Sequence, residues 1–139
     1  MPGHRGIPPG GTRGTVYREV ARLRLEDARE LLQRQRALGA IYLAGYAVEC
    51  LLKYGVTRRR NTHYLPPELE IHGIDRLLQE AGLGHALQSS SSIEALFSEF
   101  ADKWGPGLRY RTTAISMTEA SRLYQQTEQV YNWINENLV

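Results

Sequence analysis

The sequence predicts an all-α protein, an up-and-down bundle of four to five helices. Apolar residues recur at three- and four-residue spacing in several segments, which is typical of amphipathic helices. Glycine and proline are concentrated between those segments. No stretch alternates apolar and polar residues between hairpin turns, so the pattern does not favour β-strands.

Residues 1–15, MPGHRGIPPGGTRGT, differ from the rest of the chain in composition. They hold five of the 13 glycines and three of the six prolines. Such a stretch loses much conformational entropy on ordering and has little apolar surface to bury. We therefore expect a flexible tail over residues 1–15 and a single helical domain over residues 16–139.

Two helices are predicted at the start of the domain. The first covers about residues 16–36, and its apolar stripe comprises Tyr17, Ala21, Leu25, Ala28 and Leu32. The second covers about residues 38–54, and Gly55 is well suited to a left-handed stop. Residues 56–71 then have the pattern of a long loop, in which Pro66–Pro67 forbids a continuous helix.

A short third helix is predicted over about residues 73–81, with Gly82 as its stop. A fourth helix follows, because Ser91 and Glu94 have the spacing of a capping box. The glycines and proline of residues 105–107 end it. Its apolar face comprises Ile93, Leu96, Phe97, Phe100 and Trp104.

The last predicted helix begins at a second capping box, formed by Ser116 and Glu119, and extends to about residue 138. Its apolar stripe comprises Ala120, Leu123, Thr127, Val130, Ile134 and Leu138.

Composition limits the classes of function. A hydrophobic content of 42% and a charged content of 23% are those of an ordinary globular domain. The net charge of +2 is too small to imply a nucleic-acid partner by itself. No apolar run reaches the ~18 residues that a membrane span needs, and the start of the chain has no apolar signal-peptide core. We expect a cytoplasmic protein without a membrane partner.

Cys50 is the only cysteine, which excludes an internal disulfide and is compatible with a reducing compartment. Because it lies inside an apolar run, we expect a buried structural thiol and not a nucleophile.

Signatures of metal and cofactor binding are absent from the sequence. None of the four histidines is spaced with another ligand as in zinc sites. The glycine-rich stretch near the start is followed by neither a strand nor a Lys-Ser pair, unlike dinucleotide- and phosphate-binding loops. The sequence therefore predicts no metal site and no cofactor.

The second predicted helix carries an unusual polar stripe. Tyr42, Tyr46, Glu49 and Lys53 are spaced by four, three and four residues, so they share one face, and Glu49 and Lys53 can pair. One interpretation is a surface edge with an ordinary ion pair, worth at most about 0.5 kcal/mol. The other is a polar groove between helices or across a dimer axis. Spacing alone leaves both open.

The segment TRRRNTH, residues 57–63, contains three consecutive arginines. Guanidinium groups can hold phosphates by bidentate contacts, although short basic runs are more often solvated loop charge.

The segment WGPGLRYR, residues 104–111, places Trp104 close to Arg109, Tyr110 and Arg111. Interleaved aromatic and arginine side chains can stack on a base and pair with a phosphate. Alternatively, Tyr110 only closes the end of the bundle.

Several segments together resemble HEPN domains, the higher-eukaryote-and-prokaryote nucleotide-binding domains. The segment ARLRLEDARELL followed by GAIYLAGYAVECLLKYGV is similar to the first two helices of that family. The family pattern aromatic-x-x-x-aromatic-x-x-Glu-x-x-x-Lys falls on the polar stripe of the second helix. IHGIDRLLQEAGL, KWGPGLRYR and VYNWINENL resemble later segments of the family, in the same order.

This resemblance implies a helical bundle that is usually homodimeric. It also implies a setting in which such proteins are often encoded beside a minimal nucleotidyltransferase partner, in toxin–antitoxin or defence systems. Some HEPN domains are metal-independent RNases that use an Arg followed four to six residues later by a His near the last helices. In such a pair the Arg steadies the phosphate, and the His does acid–base chemistry on the 2′-hydroxyl.

The chain departs from that RNase pattern, since no histidine follows Arg109 or Arg111. Arg58 and His63 have the required spacing but come after the second helix.

Three hypotheses result. The first is a non-catalytic module that binds a nucleotide, RNA or a nucleotidyltransferase partner. The second is an RNase toxin that uses Arg58 and His63, or His72 recruited from the third helix. The third is a purely structural dimer. The ligand-binding residues predicted for the first hypothesis are Tyr46, Glu49, Lys53, His72, Arg109, Tyr110 and Arg111.

Overall fold

The computed structural model describes residues 11–104, 108 and 113–138. Within those residues the chain forms six α-helices and a 3-10 helix, Pro67–Leu69, and no β-strand. The predicted all-α class is therefore confirmed. The α-helices are α1 Gly14–Gln33, α2 Ala37–Arg60, α3 Ile74–Glu80, α4 Gly84–Gln88, α5 Ser91–Lys103 and α6 Met117–Asn137.

Helices α1 and α2 form an antiparallel hairpin. A short connection joins them, in which Gln35 adopts a left-handed φ of 60°. Gly14 at the start of α1 lies against Thr57 near the end of α2, and Leu31 near the end of α1 lies against Gly39 near the start of α2. The first helix starts two residues earlier than predicted and ends at Gln33.

Helix α2 is the central element of the bundle. It packs against α1, α3 and α6, and α5 packs against α6. Such a central helix is apolar around most of its circumference, because each face meets another helix. Its buried residues extend without a break from Ala47 to Thr57. The apolar residues opposite the polar stripe of this helix are buried throughout: Ile41, Ala44, Val48, Leu51 and Leu52.

The predicted end of this helix is wrong. Gly55 lies inside α2, and the left-handed stop is Asn61, with φ of 54°. A β-carbon at Gly55 would lie 2.9 Å from a methyl group of Leu138 and 3.2 Å from the β-carbon of Ala81. Gly55 is thus required for close packing in the helix and not for a turn. The helix therefore includes residues 56–60, for which the sequence pattern predicts a loop.

The region between α2 and α5 is largely as predicted. Helix α3 lies within the predicted range, and Gly82 ends it with a left-handed φ of 80°. Helix α4 is an additional short helix that the sequence pattern does not predict.

The two predicted capping boxes have different outcomes. At α6, Ser116 is the N-cap, and its hydroxyl accepts a hydrogen bond from the backbone N–H of Glu119 at 3.1 Å. At α5, the N-cap is Ser90 and not Ser91, and its side chain makes no capping hydrogen bond.

This difference predicts unequal effects of two serine substitutions. Ser116→Ala should lower the free energy of unfolding by about 1 kcal/mol, because one N–H of the first turn loses its acceptor. Ser90→Ala is the matched control and should have a much smaller effect. Urea denaturation followed by circular dichroism measures both, and equal losses would contradict the capping role of Ser116.

Among the described residues, no helix combines the length and the apolar character that crossing a membrane requires.

Candidate functional site

The polar stripe of α2 contains a buried ion pair. The Glu49 carboxylate accepts a hydrogen bond from the Lys53 ammonium, with 2.9 Å between Oε2 and Nζ. The side chains of Glu49 and Lys53 are 1% and 8% exposed. The surface-edge interpretation of this stripe is therefore wrong, and the pair lies inside the bundle.

His72 completes this cluster from the segment that precedes α3. Its Nδ1 atom lies 3.1 Å from Oε1 and 3.2 Å from Oε2 of Glu49. The segment returns to α2 because Leu65 and Leu69, between the two helices, are buried in the core. One carboxylate thus has two cationic or hydrogen-bonding partners, which offsets the cost of its burial.

Exposure separates the three members of the Glu49–Lys53–His72 cluster. The His72 side chain is 48% exposed, whereas the other two are almost fully enclosed. Contact with Glu49 through Nδ1 fixes the ring orientation and directs Nε2 away from the carboxylate. Of the three side chains, the imidazole is therefore the one that solvent reaches most readily.

Tyr17 of α1 lies beside the same cluster. The Lys53 ammonium is 5.4 Å from the centroid of the Tyr17 ring, within the range of a cation–π contact. Burial raises the pKa of the Tyr17 hydroxyl, and the positive charge of Lys53 opposes that shift. The sequence predicts Tyr17 as part of the apolar stripe of the first helix. No local sequence pattern predicts its contact with Lys53.

Tyr46 and Cys50 are packing groups adjacent to the cluster. Burial raises the pKa of the Tyr46 hydroxyl far above its usual range, and its hydrogen bond with the Cys50 thiol adds to this shift. Burial also raises the pKa of the Cys50 thiol to about 11. Cys50 is therefore protonated at neutral pH and unsuited to nucleophilic attack, and its predicted burial is confirmed.

Tyr46 also belongs to an aromatic stack along α2. Its ring centroid is 6.4 Å from that of Tyr42, which lies 6.1 Å from that of Trp104. Trp104 is buried, and its indole Nε1 donates a hydrogen bond to the carbonyl of Tyr42 at 3.1 Å. Trp104 is thus part of the core and is not a stacking face for a base.

The other three predicted ligand-binding residues, Arg109, Tyr110 and Arg111, lie outside the described residues.

The three-arginine run does not act as one unit. Arg59 donates hydrogen bonds to the carbonyls of Gln79 and Glu80 at the end of α3, each at 3.3 Å. Arg60 forms an ion pair with the Glu80 carboxylate at 2.6 Å. These two arginines attach α3 to α2 and complement the negative end of the α3 dipole.

Arg58 instead lines a polar pocket of about 360 Å³ together with His63. The pocket lies between the start of α1 and the end of α2. The structure thus brings Arg58 and His63 to one cavity. The pocket is lined by Arg13, Gly14, Thr15, Tyr54, Thr57, Arg58, Asn61, Thr62 and His63.

The contribution of Arg13, Thr15 and Thr57 to this pocket was not predicted from the sequence. Thr57 follows Lys53 by four residues and continues the polar stripe. The misplaced end of α2 at Gly55 concealed that signal.

Metal binding has no support in the described part of the chain, where no three His, Cys, Asp or Glu side chains are grouped as ligands.

Comparison with known proteins gives one positive finding. The family model described as HEPN domain matches residues 16–137. No curated protein and no solved structure matches the chain significantly.

Proposed function

The chain belongs to the HEPN domain family, and on that premise we propose that it is a non-catalytic module that binds a nucleotide, an RNA or a protein partner. The partner is a minimal nucleotidyltransferase of a toxin–antitoxin or defence system. The module acts in the cytoplasm as a homodimer.

The observation that carries this proposal is the half-exposed His72 held on a buried carboxylate. The Glu49 carboxylate fixes the ring orientation of His72, so the half-exposed imidazole presents a defined edge to a ligand. Pre-orientation lowers the entropy lost on binding. In the proposed site, Arg109 and Arg111 supply further donors to phosphate, and Tyr110 supplies a stacking face.

The non-catalytic character is supported by the sequence of the last helices. No histidine follows Arg111, so the RNase pair of the family cannot form there.

Calorimetric titration with ATP, GTP and short RNAs tests ligand binding. His72→Gln should weaken binding about tenfold or more, since a hydrogen bond to a charged ligand is lost. His85→Gln, at an exposed position of α4, is the matched control and should leave affinity unchanged.

The protein-partner version needs its own measurement. Co-purification with the nucleotidyltransferase encoded beside this gene, if one is present, should succeed for the wild type and fail for His72→Gln. Absence of binding to all nucleotides, RNAs and such a partner would refute the proposal.

Analytical ultracentrifugation tests the homodimer, and a monomer at micromolar concentration would contradict it.

The shared pocket of Arg58 and His63 favours a second candidate, a metal-independent RNase. Arg58 would steady the scissile phosphate while His63 exchanges protons with the 2′-hydroxyl and the leaving oxygen. RNA cleavage and growth arrest on expression should both disappear in His63→Ala with the helical content intact. Cleavage at the wild-type rate by both His63→Ala and His72→Ala would exclude this candidate.

A further inference from the structure

The polar pocket between the start of α1 and the end of α2 has a strongly cationic lining. Arg13, Arg58 and His63 line it, and none of its nine lining residues carries a carboxylate. The hydroxyl groups of Thr15 and Thr62 and the amide of Asn61 add neutral hydrogen-bonding groups to the same wall. A cavity with this lining selects for anionic ligands.

Backbone contacts hold the walls of the pocket together. The N–H of Gly14 donates to the carbonyl of His63 at 2.9 Å, and the N–H of Leu65 donates to the carbonyl of Thr12 at 3.3 Å. Gly14 also packs so closely on Thr57 that a β-carbon at Gly14 would overlap the Thr57 side chain. The two helix ends are therefore fixed against each other before any ligand binds.

Two tyrosines position the arginines. The guanidinium group of Arg13 lies 5.1 Å from the Tyr64 ring centroid, and its Nε donates to the Tyr64 hydroxyl at 3.3 Å. Arg58 donates to the Tyr54 hydroxyl at 3.4 Å. In these contacts a neutral phenol orients a guanidinium group without cancelling its charge.

Helix α1 adds to the positive potential of the same wall. Its first turn lines the pocket, and its N-cap residue, Arg13, makes no side-chain capping hydrogen bond. The N-terminal end of a 20-residue helix carries a partial positive charge from the aligned peptide dipoles.

From these contacts we infer that the pocket binds the phosphoryl group of a small phosphomonoester. Two guanidinium groups and a histidine match the charge and the acceptor geometry of a phosphate dianion. The volume of about 360 Å³ exceeds that of a bare anion and is at the lower end for small-molecule sites. This site is separate from the Glu49–Lys53–His72 cluster, and its function does not depend on RNA cleavage or on a protein partner.

Calorimetric titration of the full chain at constant ionic strength tests this assignment. Inorganic phosphate and adenosine 5′-monophosphate should both bind, whereas adenosine should not. Equal affinity for inorganic phosphate and adenosine 5′-monophosphate would show that the pocket recognises the phosphoryl group alone. Tighter binding of the nucleotide would indicate an additional contact with the nucleoside.

Charge-neutralising substitutions identify the site. Arg58→Gln and Arg13→Gln should each weaken phosphate binding about tenfold or more, because each removes a charge-assisted hydrogen bond. Arg34→Gln makes the same change of charge at the other end of α1, ~30 Å away, and should leave affinity unchanged. Loss of phosphate affinity in Arg58→Gln but not in His72→Gln assigns the binding to this pocket and not to the proposed nucleotide or partner site. Circular dichroism confirms that each variant is folded.

Two results would overturn the inference. One is an equal loss of phosphate affinity in the three variants Arg58→Gln, Arg13→Gln and Arg34→Gln. Equal losses would show that phosphate is attracted by the overall charge of the protein and not by this pocket. The other is stabilisation by phosphate that chloride reproduces at the same ionic strength.

Discussion

Replacing Glu49 by Gln is expected to lower the free energy of unfolding by about 3–5 kcal/mol, because the Lys53 ammonium then stays buried without its counter-ion. The ammonium is 2.9 Å from the carboxylate and only 8% exposed, so water cannot replace the lost charge. His72 loses the negative charge of the same partner. Urea denaturation followed by circular dichroism measures the change.

A double-mutant cycle separates the pair from simple loss of packing. Lys53→Met should also be strongly destabilising, since it leaves the carboxylate with His72 alone. The double variant Glu49→Gln/Lys53→Met should recover much of the loss, because no unpaired charge remains inside the bundle.

Glu26→Gln is the matched control for the Glu49 substitution. It breaks the ion pair with Arg22, which has the same i,i+4 spacing but lies on the exposed surface of α1. Its effect should be close to the error of the measurement. If the two glutamate substitutions cost the same, burial does not govern the Glu49 pair.

Gly45→Ala is expected to lower the free energy of unfolding by about 3 kcal/mol, the upper end for overpacking of a core. A β-carbon at Gly45 would overlap the indole of Trp104, which is buried against α2. Displacing the indole also breaks its hydrogen bond to the Tyr42 carbonyl and its stacking on Phe100. Chemical denaturation measures the loss, and tryptophan fluorescence should shift to longer wavelength.

Gly39→Ala is the control in the same helix. A β-carbon at Gly39 would lie 3.4 Å from a methyl group of Leu31, an ordinary contact. Because alanine favours the helical conformation more than glycine, this variant should be neutral or more stable by up to about 1 kcal/mol. If Gly45→Ala is as well tolerated as Gly39→Ala, then the indole of Trp104 is not held in this position.

Elements with strong local signals were predicted well. The start of α6 depends on one serine hydroxyl and an N–H three residues later, so Ser116 and Glu119 identify it without other information. The all-α class likewise follows from the spacing of apolar residues along each helix.

Elements that depend on distant contacts were predicted poorly. Gly55 has the usual identity of a helix stop, yet contact with Ala81 and Leu138 keeps it inside α2. Local propensity is a weak term, and burial against other helices overrides it.

For the candidate site, the sequence alone determined the shared face of Glu49 and Lys53, because residues four apart in a helix are neighbours. Only the tertiary structure decided that this pair is buried and that His72, 23 residues from Glu49, joins it. The same holds for the pocket, in which Arg13 from the start of α1 joins Arg58 and His63. Helical periodicity is a property of the local chain, whereas burial and the meeting of distant residues depend on how the helices pack.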